Sequence, residues 1–91
     1  MIIQVGKFGR LLISRPAGRE AFLAAKAYIL AKDAKEEIVF DFKDVDVLSP
    51  SWADEFITGI LSLYKDNSHK FINTINPSVR ETLKILEIYQ E

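Results

Sequence analysis

Ile38-Val39-Phe40-Asp41-Phe42-Lys43-Asp44-Val45 sets the architecture of this 91-residue chain. Its first five residues are β-branched, aromatic and nearly unalternated, which predicts a central strand covered on both faces. Asp44, Val45, Asp46, Val47 and Leu48 carry the chain on to Ser49-Pro50-Ser51. A helix is predicted from Ser51 to about Lys65. Ser51 suits the N-cap, and Asp54 sits three residues on as an acidic capping-box partner. Plotted at helical spacing, the apolar positions of this segment cover an arc of about 200°, so it buries more than one face.

Upstream, Ile2 to Val5 and Leu11 to Ser14 flank Gly6-Lys7-Phe8-Gly9. Two glycines in a four-residue connection predict a β-hairpin. Arg15-Pro16-Ala17-Gly18 then breaks the strand pattern. A helix follows from about Arg19 to Ala34, with Leu23, Ala27, Leu30 and Ala34 as its apolar stripe. Downstream, Asp66-Asn67-Ser68-His69 reads as a polar turn and Lys70 to Ile75 as a fourth strand. Asn76 caps a third helix with Pro77 at its first position. Val79, Leu83 and Leu86 form that helix's stripe, with Ile85, Ile88 and Tyr89 beside it. The order is ββαβαβα. It predicts a single small α/β domain over residues 1–91, with a mixed four-stranded sheet and three helices.

Twelve Lys and Arg stand against thirteen Asp and Glu. The charges are scattered, which argues against a nucleic-acid surface. There is no cysteine, so disulfides and thiolate metal sites are excluded. No apolar stretch approaches the roughly 20 residues a membrane-crossing helix needs, and no secretory signal pattern opens the chain. The expectation is a cytoplasmic protein without membrane insertion.

Candidate chemistry is sparse. The lone histidine, His69, reads as a solvated turn residue. Asp41, Asp44 and Asp46 gather near the end of the central strand, where open α/β sheets bind ligands, and could take an anion-bearing ligand or a cation. Their spacing matches no calcium loop, and no metal or cofactor is expected. The four glycines form neither dinucleotide nor phosphate-loop patterns. Arg15 and Arg19 could touch an anion. The most informative surface is Ser49, Ser51, Trp52, Asp54, Glu55 and Phe56. It combines hydroxyls, carboxylates and an aromatic anchor at a helix N-terminus, where a phosphate would be accommodated.

The arrangement resembles the STAS domain of sulfate transporters and anti-sigma factor antagonists. Residues 38–45 are similar to that family's "vvlDlsgV" strand. Val47-Leu48-Ser49-Pro50-Ser51 stands where the family has "fiDSSGl". Ile75-Asn76-Pro77-Ser78-Val79-Arg80-Glu81-Thr82-Leu83 is similar to "vspevrrvL". The Ser-Pro-Ser-Trp-Ala-Asp-Glu-Phe wording is closer to an uncharacterised STAS-like group. Two departures stand out. Ser49 replaces the family's aspartate and Pro50 its phosphorylated serine, leaving Ser51 as the candidate phosphorylation site. Trp52 replaces the glycine.

The resemblance also implies a fold truncated at its C-terminus, since the usual last strand and helix are missing. It implies a regulatory module rather than an enzyme. Such a module would bind a protein partner, a kinase-like ATPase or a sensor, through Ser49, Ser51, Trp52, Asp54, Glu55 and Phe56. Two alternatives stand beside it. One is a sensor for a nucleotide or other anion at Asp41, Asp44 and Asp46. The other is an Asp41 phosphoryl carrier, which lacks the acidic pair that chemistry requires. A homodimer would cover any sheet edge or apolar face left open.

Overall fold

The computed structural model describes residues 1–30 and 35–87. Its strands are β1 (Ile2–Gln4), β2 (Leu11–Leu12), β3 (Ile38–Asp41), β4 (Val47–Leu48) and β5 (His69–Ile72). Helix α1 spans Arg15–Tyr28 and α4 spans Pro77–Ile85. Between them α2 (Pro50–Ala53), a π turn (Asp54–Thr58) and α3 (Gly59–Leu63) run on as one helical rod. The α/β class and the three helical segments are as the sequence predicts. No helix among the described residues is long and apolar enough to cross a membrane.

The expected hairpin and mixed sheet are not formed. Every ladder among the described residues is parallel. β1, β3 and β5 make a three-stranded sheet in that order, with Ile3, Phe40 and Phe71 in one row. β2 leaves that sheet and pairs with β4, Leu11 facing Val47 and Leu12 facing Leu48. The reason lies in the connection after β1. Val5–Phe8 coils into a 3-10 helix instead of reversing. Gly6 lies against the chain of Lys43, where a Cβ would stand 2.3 Å from the carbonyl oxygen. Its glycine serves a close crossing of two segments rather than a hairpin turn.

Helix α1 starts four residues earlier than predicted. Ser14 caps it, its Oγ accepting from the Ala17 N–H at 3.2 Å, and Pro16 sits in the first turn. There a missing N–H costs nothing, so Pro16 begins the helix rather than breaking a pattern. The buried face is also different from the predicted stripe. Gly18, Ala21 and Ala25 are buried, while Leu23 is exposed. Ala34 of that stripe, like Ile88 and Tyr89 of the last helix, lies outside the described residues. The last helix follows expectation: Asn76 Oδ1 accepts from the Ser78 N–H at 2.7 Å, Pro77 opens the helix, and Val79 and Leu83 are buried.

One core gathers side chains from every layer: Ile3, Ile38 and Phe40 from the sheet, Leu12 and Leu48 from the short ladder, and Trp52, Phe56, Ile57, Ile60, Val79 and Leu83 from the helices. β3 is fully buried on its Ile38 and Phe40 side only. Val39, flanked by Ile2 and Lys70, is half-buried, so the expected coverage of both faces is not met. The fourth predicted strand begins at His69 and ends at Ile72, because Asn73 takes a positive φ and turns the chain.

Candidate functional site

The start of the helical rod is built by its cap. Ser49, not Ser51, is the N-cap: its Oγ accepts from the Trp52 N–H at 3.2 Å, and Pro50 takes the first helical position. Ser51 is thereby moved into the first turn, half-buried. The chain arrives there from β4, whose outer edge is closed by side chains of α4. The Leu48 N–H donates to Ser78 Oγ at 3.0 Å, and the Thr82 hydroxyl donates to the Leu48 carbonyl. Asn76 Nδ2 donates to the carbonyls of Val45 and Asp46 at 3.3 and 2.9 Å. Hydroxyls and an amide therefore do at this edge what a further strand would do, pairing the Leu48 N–H and the carbonyls of Val45, Asp46 and Leu48.

Trp52 and Phe56 do not belong to the surface. Trp52 is 1% exposed and Phe56 0%. Their rings stack at 4.7 Å between centroids, and Phe8 closes against Phe56 at 5.0 Å and Trp52 at 6.3 Å. The sequence placed both among partner-contacting residues. The structure makes them the packing that supports the rim, stacked on one another and closed by Phe8. Helix α1 meets the rod's backbone at Trp52, where a Cβ added to Gly18 would stand 2.5 Å from the Trp52 carbonyl oxygen.

What faces outward is Ser49, Ser51, Asp54 and Glu55, all half-exposed. Arg15 reaches over from α1, and its Nη1 donates to Asp54 Oδ2 at 3.0 Å and to Glu55 Oε1 at 3.1 Å. The hydrogen bond to Asp54, then that to Glu55, holds the Arg15 pKa above its ordinary value. The carboxylates sit at the first turn of the π segment, so the rim is defined by a cap, a π turn and a guanidinium tie. Arg15, read as a free anion contact, is instead committed to the protein's own carboxylates.

The three strand-end aspartates separate. Asp41 accepts from the Lys43 N–H at 2.9 Å and from Asn73 Nδ2 at 2.7 Å. The Asn73 hydrogen bond first, then the Lys43 N–H, hold its carboxyl below the usual carboxylate range. Asp44 is exposed at φ 68°. Asp46 turns away to Arg10, accepting from Nε at 2.9 Å and Nη2 at 3.3 Å. Only Asp41 and Asp44 line the cavity at this end, with Gln4, Gly6, Lys7 and Lys43; Asp46 drops out of the predicted ligand cluster. Its volume, about 220 Å³, is below the 300 Å³ or more typical of small-molecule pockets. Among the described residues no group of three His, Cys, Asp or Glu could hold a metal.

Sequence reasoning missed Lys7 and Lys43 as cavity residues, and Ser78 and Thr82 as the clamp on Leu48. The cavity signal was present in the glycine at position 6, which marks where two segments cross. The clamp had no periodic signal at all. His69 is half-buried at the start of β5, its ring edge-on to Phe71 at 5.5 Å, away from both groups.

No curated protein and no solved structure matches this chain. A protein-family model does match, over residues 23–79, from within α1 through β3, β4, the rod and β5 to the first turn of α4. That span is more than half of the chain and includes Ser49, Ser51, Asp54 and Glu55. The chain therefore belongs to the family described as STAS-like domain of unknown function (DUF4325).

Proposed function

We propose that this chain is a non-enzymatic regulatory module that binds a protein partner through the start of its central rod. The observation that carries the reading is the half-exposed rim of Ser49, Ser51, Asp54 and Glu55, fixed from behind by buried Trp52 and Phe56 and from the side by Arg15. A rim held this firmly loses little freedom on binding, which favours recognition. π turns recur at functional sites, and this one carries both carboxylates. Ser51 is the modifiable hydroxyl of the first turn. A phosphate on it would add negative charge three and four residues before Asp54 and Glu55 and change what the rim attracts.

The test is affinity capture from the native cells with the wild-type chain, Glu55→Lys and Ser51→Asp. A kinase-like ATPase or sensor held by the wild type should be lost with Glu55→Lys, with affinity falling at least about tenfold in a purified assay. Equal retention by a folded Glu55→Lys variant removes the rim as the binding surface. Trp52→Ala is unsuitable here, since it empties the core.

A second reading has its own observation. The cavity at the ends of β1 and β3 carries Lys7 and Lys43 beside Asp41 and Asp44, which suits a sensor for a small anion-bearing ligand. Such a ligand should raise the melting temperature in the wild type and not in Lys7→Gln/Lys43→Gln. A flat response to a nucleotide and anion panel ends this reading.

A further inference from the structure

We propose that the cavity at the ends of β1 and β3 takes a zwitterion, a free amino acid, rather than an anion alone. This rests on the reading of that cavity as a ligand site and narrows its ligand to one class. The site is made by the backbone. Gln4 and Asp41 stand side by side in the β1–β3 register. Just past them the two strand exits cross, with Gly6 against the carbonyl of Lys43. The crossing brings the residues that follow each strand, Lys7 from one and Lys43 and Asp44 from the other, to a single cavity. Two ammonium groups and two carboxylates line it, so its formal charges cancel.

These opposite charges do not close on each other. Elsewhere they do: Arg10 on Asp46, Arg15 on Asp54 and Glu55, Lys70 on Glu37, and the Met1 ammonium on Glu36. In the cavity, the side chains of Lys7, Lys43 and Asp44 form no ion pair or hydrogen bond with any described residue. Asp41 is engaged by neutral donors instead, its Oδ1 accepting from Asn73 Nδ2 and the Lys43 N–H. Asp44 is set by its own backbone, at a φ of 68° that aspartate and asparagine tolerate. A lone anion would satisfy the two lysines but lie beside the Asp44 carboxylate, and like charges at close range repel. A lone cation has the converse fault. A molecule carrying both signs gives its carboxylate to Lys7 and Lys43 and its ammonium to Asp44, each through a charge-assisted hydrogen bond. The volume of about 220 Å³ also suits an amino acid better than a nucleotide.

Amide NMR titration of the intact chain at constant ionic strength tests the proposal. The probes are L-amino acids, the matching acids that lack the amine, and the matching amines that lack the carboxylate. At least one amino acid should shift the amides of Gly6, Lys7, Lys43 and Asp44 saturably, with a dissociation constant of about 0.1–1 mM. Its deaminated acid and its decarboxylated amine should bind at least about tenfold more weakly. Asp44→Asn keeps a residue that accepts the positive φ. It should bring the amino acid down to the affinity of the acid and leave the acid unchanged. Lys7→Gln/Lys43→Gln should lose both. These positions are exposed, so both variants should keep the circular dichroism spectrum of the wild type. An acid that binds as tightly as its amino acid overturns the proposal, as does an Asp44→Asn variant that still tells the two apart. Binding of inorganic phosphate with no binding of any amino acid also overturns it, while the cavity stands as an anion site. Silence toward amino acids, phosphate and nucleotides alike ends both readings.

Discussion

Two paired strands hand the chain into two helices, and the two junctions are made from the same parts. Leu12 leads through Ile13 to Ser14 and Pro16; Leu48 leads to Ser49 and Pro50. Each serine accepts a hydrogen bond from the N–H three residues on, both at 3.2 Å, and each proline sits in the first turn. Beyond the caps the junctions become opposites. Helix α1 offers Gly18, Ala21 and Ala25, whereas the rod offers Trp52 and Phe56. Arg15 stands on one, Asp54 and Glu55 on the other. Local chemistry fixes where each helix begins. Opposition of size and charge fixes how the two dock.

The large half of that opposition should matter most. Trp52→Ala removes the biggest fully buried side chain and leaves Phe8 and Phe56 facing a void. The expected loss is about 3–5 kcal/mol, read from urea denaturation. A loss below about 1 kcal/mol would mean the two junctions do not lock through size at all.

The small half comes next. Gly18→Ala improves helix propensity by about 1 kcal/mol, yet its Cβ meets backbone atoms of Trp52 that cannot swing aside. Overpacking of this kind costs about 1–3 kcal/mol, so a net destabilisation is expected in the same denaturation assay. A stabilised Gly18→Ala would show that α1 stands off from the rod.

The shared parts rank below the opposed ones. Ser14→Ala and Ser49→Ala should each cost about 1 kcal/mol. Ser49 should lie at the upper end, since its hydrogen bond is partly buried and that of Ser14 is exposed. Thermal unfolding of the pair measures the difference. A reversed order would show that burial does not separate the two caps. Smallest of all should be the loss in Arg15→Gln, and it should shrink further in high salt, because all three charges are partly solvated. A salt-independent loss would show that the tie is more than a surface ion pair.

The same comparison explains what the sequence could tell. The second junction is legible because Ser51 and Asp54 open a broad apolar arc, although the structure sets the cap two residues earlier, on Ser49. The first is not, because Pro16 and Gly18 read as interruptions in sequence but are a helix start and a helix contact in the structure. Large apolar residues mislead in α1: Leu23 is exposed, and the buried face is made of the smallest side chains. Periodicity weighs side chains by hydrophobicity, whereas close packing against Trp52 selects for their absence. The α/β order was readable from the Ile38–Phe42 run and from Asn76-Pro77. The parallel β2–β4 ladder was not. Two residues per strand carry no period, and its outer edge is completed by Ser78 and Thr82, which look like ordinary helix residues. At the candidate site, Ser49, Ser51, Asp54 and Glu55 were found together, while the Arg15 tie depends on a docking no local pattern contains.

All three ladders among the described residues are parallel, and this has a consequence in time. The Arg10–Asp46 pair that opens the short ladder spans 36 positions, and so does the hydrogen bond from the Met1 ammonium to Glu37 beside the sheet. Neither β1 nor β2 can find its partner until most of β3 and β4 has been synthesised. At about 5–20 residues per second a ribosome needs roughly 2–7 seconds to supply that length. During that interval Ile2, Ile3, Leu11 and Leu12 leave the ribosome as unpaired apolar strands, while α1, whose backbone hydrogen bonds are local, can already flicker into form. Assembly then awaits β5 and α4, so the chain closes late and nearly all at once.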